Sequence, residues 1–171
     1  MRRIGGCGSC RQASLRVGRG VNPVATFRGR VLAPGEASGS ALRLDEPLSL
    51  WGGMDPVTGR LIDAHHPQHG ALLTRRVLIM GAARGSSSSS SVLAEAVRAG
   101  TAPAAILLGE PELILAVGAA VADELYGLRV PIVVLRSEDL TQIADGAAVT
   151  IGEGGGLVRA VRASSEATNT P

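Results

Sequence analysis

The chain has 171 residues, 45% of them hydrophobic and only 2% aromatic, which fits one domain with an aliphatic core. Its 17 basic and 15 acidic residues do not describe a nucleic-acid binder. Every basic residue is arginine, which excludes a lysine Schiff base, and no apolar run is long enough to span a bilayer.

Residues 1–23 hold five arginines and no acid, and they lack the apolar centre of a secretory signal. They are expected to form a basic, disordered arm on a cytoplasmic protein. Cys7 and Cys10 make a C-x-x-C with no second pair to complete a metal set. The folded domain is expected over 24–162, followed by a loose tail at 163–171.

Residues 25–33 read as one strand, and Pro34-Gly35 as a turn. Residues 38–45 alternate as a second strand. The stretch 47–70 is dense in Gly, Pro, Asp and His, with a short strand at Arg60–Asp63. Another strand is predicted at Leu72–Leu78, then a serine-rich loop and a helix at about Ser90–Ala99. Ala104–Leu108 is a short apolar strand. Glu110-Pro111-Glu112 opens a second helix, since proline and carboxylates suit a first turn. Leu113, Val117, Val121 and Leu125 recur every four residues and predict its buried stripe. Gly127 can end it. Val130–Leu135 (strand), Ser137–Ala144 (helix), Ala147–Ile151 and Leu157–Val161 (strands) complete the order. The expected class is α/β, a barrel-like β unit joined to a small parallel α/β layer.

Two tracts carry chemistry. In the first, Val77–Met80 feeds a Gly81–Gly85 turn, then six serines, Ser86 to Ser91, then a helix. Backbone N–H groups of a first helical turn and the helix dipole favour an anion there. A serine hydroxyl in that field ionises more easily, and Arg84 adds positive charge. A serine run is also the composition of a flexible linker. This one is short, lies between two apolar elements and fills a strand-to-helix loop. A loop that only caps the helix fits the same pattern, and one serine is expected to serve as N-cap.

The second tract is Leu50-Trp51-Gly52-Gly53-Met54-Asp55-Pro56, with the only tryptophan. Paired glycines allow close backbone approach, and Asp55-Pro56 before Thr58-Gly59 marks a turn. Asp63, His65, His66 and His69 follow. Adjacent His65 and His66 rarely both point inward, and no further ligand has helical spacing, so this chain alone is not expected to bind metal.

Together the tracts P-L-S-x-W-G-G-x-D-P-x-T-G and R-G-S-S-S-S-S-x-V-L-A-E, with A-P-A-A-I-L at Ala102–Leu107 and V-P-I-V at Val130–Val133, resemble the small subunit of the aconitase X family. The resemblance covers about residues 29–151; Gln68 departs from it, where an apolar residue is expected. It implies a swivelling β/β/α domain packed against a larger subunit that holds iron or an iron–sulfur cluster. The active site would lie between the two. It implies Ser86 as the catalytic base, whose alkoxide removes the proton next to the carboxylate of a small substrate while iron in the partner helps the hydroxyl leave. Arg84 and Ser87 would contact the substrate, with Gly52, Gly53 and Asp55 as the facing wall. The expected reaction is dehydration of cis-3-hydroxy-L-proline. The alternatives are a phosphomevalonate dehydratase small subunit and a non-catalytic anion-binding module. A phosphoryl-carrying swivelling domain would need a histidine at a helix start, whereas His65 and His66 precede a proline in a loop.

Overall fold

A computed structural model describes residues 24–161. The basic arm, Cys7, Cys10 and the tail lie outside the described residues. The first predicted strand is two. β1 (Val24–Arg28) and β2 (Arg30–Ala33) separate at Gly29. A Cβ at Gly29 would sit 2.4 Å from a Val133 methyl and 2.7 Å from the Val134 carbonyl, so only glycine lets the chain pass there.

The two pieces end at opposite edges of one eight-stranded sheet, in the order β1-β10-β9-β3-β6-β7-β8-β2. Here β3 is Ala37–Arg43, β6 Val77–Met80, β7 Ala105–Leu108, β8 Ile132–Val134, β9 Ala148–Ile151 and β10 Leu157–Val161. Because consecutive strands occupy both edges, the sheet curls until it is nearly closed. β3 joins its two parts. Ala37–Ser40 pair antiparallel with β9, and Ala41–Arg43 pair parallel with β6. β6, β7 and β8 continue in parallel, and β2 closes that side antiparallel to β8.

A short helical turn, α1 (Leu50–Gly53), leads into a separate hairpin of β4 (Met54–Asp55) and β5 (Arg60–Leu61). The strand predicted from Leu72 starts only at Val77, after a turn in which Arg75 takes φ 58°. Helices α2 (Ser89–Ala99) and α3 (Leu113–Tyr126) cover one face of the parallel strands. A short α4 (Ser137–Thr141) lies on the other side, with Leu140 buried there.

Alternation along β6 and β7 explains their unbroken apolar runs. Leu78, Met80, Ile106 and Leu108 pack under α2 and α3 with Leu93, Val97, Leu115 and Ala119. Val77, Ile79, Ala105 and Leu107 face the antiparallel unit with Phe27, Val149 and Val158. Strands covered on both faces carry no polar alternation. Each buried Leu, Ile or Val side chain contributes about 1.5–3 kcal/mol. Phe27 is the one aromatic residue in this core; Trp51 and Tyr126 are exposed.

The second helix overturns one expectation. Leu113, Val117, Val121 and Leu125 are exposed by 38–66%. The buried side is Leu115, Gly118, Ala119 and Ala122. Small residues let α3 lie close on α2, and a Cβ at Gly118 would come within 2.6 Å of the Ser90 carbonyl oxygen. Glu112 caps the helix by accepting the Ile114 N–H, and Gly127 ends it at φ 64°.

Candidate active site

The serine loop leaves the carboxyl end of β6, the side on which ligands of open α/β sheets bind. The loop after β7 presses against its base. The Gly109 N–H donates to the Met80 and Gly81 carbonyls, and a Cβ at Gly109 would lie 2.7 Å from the Gly81 oxygen. The tract 46–53 runs alongside. Leu48 bridges Ala83 in parallel, and the Arg84 N–H donates to the Leu48 carbonyl at 3.2 Å. The two tracts read separately from the sequence are therefore neighbours.

Ser86 precedes α2 by three residues and is half-buried. Its carbonyl accepts the Ser89 N–H at 2.8 Å, which bends the chain into the helix. Its hydroxyl makes no hydrogen bond within the described residues and is open to solvent. Ser87 is exposed, and its carbonyl accepts from both the N–H and the hydroxyl of Ser90. The backbone N–H groups of Ser86, Ser87 and Ser88 meet no acceptor among the described residues. Ser88 stands at the N-cap position, yet its hydroxyl makes no capping bond. The expected cap is thus missing; the Ser89 and Ser90 N–H groups donate to the Ser86 and Ser87 carbonyls, and the Ser86, Ser87 and Ser88 N–H groups just before α2 are left for an external acceptor.

Arg84 lies beside the loop, with its guanidinium 3.7 Å from the Glu46 carboxylate and both groups well exposed. An ion pair of that kind contributes about 0–1 kcal/mol, so a second carboxylate can compete for the arginine. Glu46 partly offsets the positive charge that the sequence suggested for the loop.

The second tract divides. Gly52 is exposed with φ 77°, and nothing lies within 4 Å of where a Cβ would be. Gly53 is buried, and a Cβ there would meet Leu48 at 2.6 Å. It is a packing glycine, which leaves its backbone as all that it can offer to a facing wall. Asp55 is engaged in its own turn. Its oxygens accept the Val57 N–H at 3.0 Å and the Thr58 hydroxyl at 2.5 Å. These bonds, the Thr58 hydroxyl foremost, hold its carboxyl below the ordinary carboxylate range. Asp55 stabilises its own turn, and no oxygen is left unpartnered.

The histidines diverge. His66 is buried, accepts the Gln68 N–H on Nδ1 at 3.1 Å and donates from Nε2 to the Glu46 carbonyl at 3.2 Å. His65 projects into solvent, and His69 Nδ1 lies 3.1 Å from the Asp63 carbonyl. No cluster of three His, Cys, Asp or Glu among the described residues could hold a metal ion. Gln68 donates its side-chain amide to Asp45, which accounts for a polar residue after His-Pro.

A family model described as the aconitase X swivel domain matches residues 26–160. The chain belongs to the aconitase X swivel domain family. A cis-3-hydroxy-L-proline dehydratase of Pseudomonas aeruginosa is 48% identical over 124 residues, 68% of this chain and 21% of that protein. A phosphomevalonate dehydratase small subunit of Methanothermobacter thermautotrophicus is 41% identical over 111 residues, 65% of this chain and 80% of that subunit. The crystal structure of Thermococcus kodakaraensis aconitase X in its holo-form matches with a TM-score of 0.71 and 29% identity, over 81% of this chain and 99% of that one. This swivel domain spans about a fifth of the length of the Pseudomonas enzyme.

Two residues packed beside the serine loop of this swivel domain have no signal in the sequence. One is Glu46, the partner of Arg84. The other is Ser89, the buried member of the serine run, whose hydroxyl accepts the Trp51 N–H at 3.2 Å. Six identical letters give no periodicity from which its burial could be read.

Proposed function

We propose that this chain is the small subunit of an iron-dependent hydro-lyase that dehydrates cis-3-hydroxy-L-proline in the cytoplasm, with Ser86 as the base. The observation that carries this reading is the open Ser86 hydroxyl in a loop whose Ser86, Ser87 and Ser88 amides are unpartnered just before α2. The 48% identity to an enzyme of that name supports the substrate.

A neutral serine is too weak a base to take a proton from carbon. N–H donors near its oxygen stabilise an alkoxide, more strongly when a partner surface excludes water, and the unpartnered amides of the same loop are the donors nearest in the chain. The alkoxide takes the proton from the carbon next to the substrate carboxylate and becomes a hydroxyl; the C–H electron pair becomes the new double bond as hydroxide leaves, and that hydroxide with the proton serine gave up earlier makes the water. The substrate also loses its hydroxyl group, so one water leaves overall. Arg84 exchanges Glu46 for the substrate carboxylate, and the Ser87 N–H offers a second contact. Gly52 keeps the facing backbone free of side chain. The described residues do not fit an iron site, so iron belongs to the large subunit in this reading.

The test is loss of water from cis-3-hydroxy-L-proline by the purified pair of large and small chains. Removing a general base costs about 10²–10⁴-fold, so Ser86→Ala should be slower by at least about 100-fold. Normal turnover by Ser86→Ala would remove the proposed base. A second reading, a phosphomevalonate dehydratase small subunit, is favoured by one fact. This chain spans 80% of such a subunit but only 21% of the hydroxyproline enzyme. Dehydration of phosphomevalonate and not of the hydroxyproline would establish that reading instead.

A further inference from the structure

Ser89 is the one fully buried member of the serine run, with 3% exposure. Its oxygen lies 3.2 Å from the Trp51 nitrogen and 3.4 Å from the Ser49 hydroxyl. A hydroxyl can accept one hydrogen bond while donating another, so Ser89 accepts the Trp51 N–H while one serine of the pair donates to the other. These bonds join the first turn of α2 to the backbone just before Gly52. Trp51 has ψ 118° and Gly52 φ 77°, so α1 is not held by regular helical bonds at these residues. Trp51 is 60% exposed and gives little packing support. Backbone bonds hold the flanks, Arg84 N–H to the Leu48 carbonyl and Ile62 N–H to the Gly53 carbonyl, and the buried Ser89 hydroxyl is the group that takes the Trp51 N–H between them, where burial removes the competing water.

We infer that Ser89 is a positioning residue, a latch that fixes the Trp51-Gly52 backbone against the serine loop. It touches neither substrate nor reacting atoms; it sets the distance between the two walls of the cleft. The inference rests on the proposed dehydratase site for its catalytic consequence, while the latch can be observed in the chain alone.

The experiment has two arms. In the isolated 171-residue chain, backbone amide exchange is followed by NMR for Trp51 and for core amides of β6 and β7. Ser89→Ala should speed Trp51 exchange by about tenfold or more while the core amides keep their rates, the pattern of local opening. Ser89→Thr keeps the acceptor and should restore slow exchange. Ser89→Cys, a weaker acceptor of similar size, should fall between, and it replaces the alanine variant if that one folds poorly. In the pair with the large subunit and cis-3-hydroxy-L-proline, Ser89→Ala should lower kcat by about 10–100-fold with a smaller change in KM, since misplacement by about an ångström costs that much. Threonine should recover most of the loss. Unchanged Trp51 exchange in Ser89→Ala would overturn the latch. Faster exchange with unchanged kcat would overturn its positioning role. If the wild-type pair dehydrates nothing, the proposed reaction falls, and the exchange arm still decides the latch.

Discussion

Gly52 adopts φ 77° with open space around it, so an alanine there meets strain and no clash. Left-handed backbone costs an L-residue about 1–2 kcal/mol, and Gly52→Ala should lower stability by that amount in denaturant unfolding. Asp55 gives a pH prediction. Its carboxyl is held below the ordinary value near 3.8 by the Thr58 hydroxyl first and the Val57 N–H second. A carboxyl depressed in the folded state contributes stability that is present above its unfolded pKa and is lost as pH falls through its folded pKa. Thr58→Val should therefore move the NMR titration midpoint of Asp55 up toward 3.8 and reduce that acid-side contribution. An unmoved midpoint would show that the threonine bond is absent in solution. The Asp55 turn was legible because Asp-Pro-x-Thr-Gly has a local mechanism. The separate roles of Ser86, Ser88 and Ser89 were not, because identical neighbours differ only in what the fold brings to them.

α3 shows how element type can be legible while its buried face is not. Its stop at Gly127 follows from local capping chemistry, whereas its start falls after Pro111, at Leu113, with Glu112 as the cap and no carboxylate inside the first turn. LILAVGAAVADELY is apolar on more than one side, and the period-four reading favoured the larger residues. Close packing on α2 favoured the small ones. Val117→Ser should consequently change stability by no more than about 0.5 kcal/mol, and Leu115→Ala should cost about 2–5 kcal/mol. The reverse ranking in denaturant unfolding would contradict the observed orientation. Gly118→Ala places a methyl 2.6 Å from the Ser90 carbonyl, against backbone that cannot rotate away. Overpacking of that kind costs about 1–3 kcal/mol. The split at Gly29 was hidden for a similar reason: 25–33 alternates well enough for one strand, and only strand pairing across the sheet shows the break.

At the scale of the whole molecule, the sheet delivers the loops after β6 and β7 and the tract 46–53 to one place. The alternating helix and strand order made the parallel layer legible. The near-closure did not follow from that order, because β1 and β2 reach opposite edges only through long-range pairing. What the described residues bring together is the open Ser86 hydroxyl, the unpartnered amides of its loop and the exposed Arg84–Glu46 pair, with no metal-holding cluster among them. A chelator should accordingly abolish turnover by the pair while leaving the thermal unfolding of this chain unchanged. A chelator-induced fall in its Tm would place metal in this chain and contradict that division.

The most direct measurement is kcat for the pair with Ser86, Ser87, Ser88, Ser90 and Ser91 changed to alanine one at a time, each beside its thermal unfolding. The account predicts a loss of at least about 100-fold at Ser86 with Tm preserved, and losses below about tenfold at the other four positions. An equal loss at every position, or turnover retained without the Ser86 hydroxyl, would contradict it.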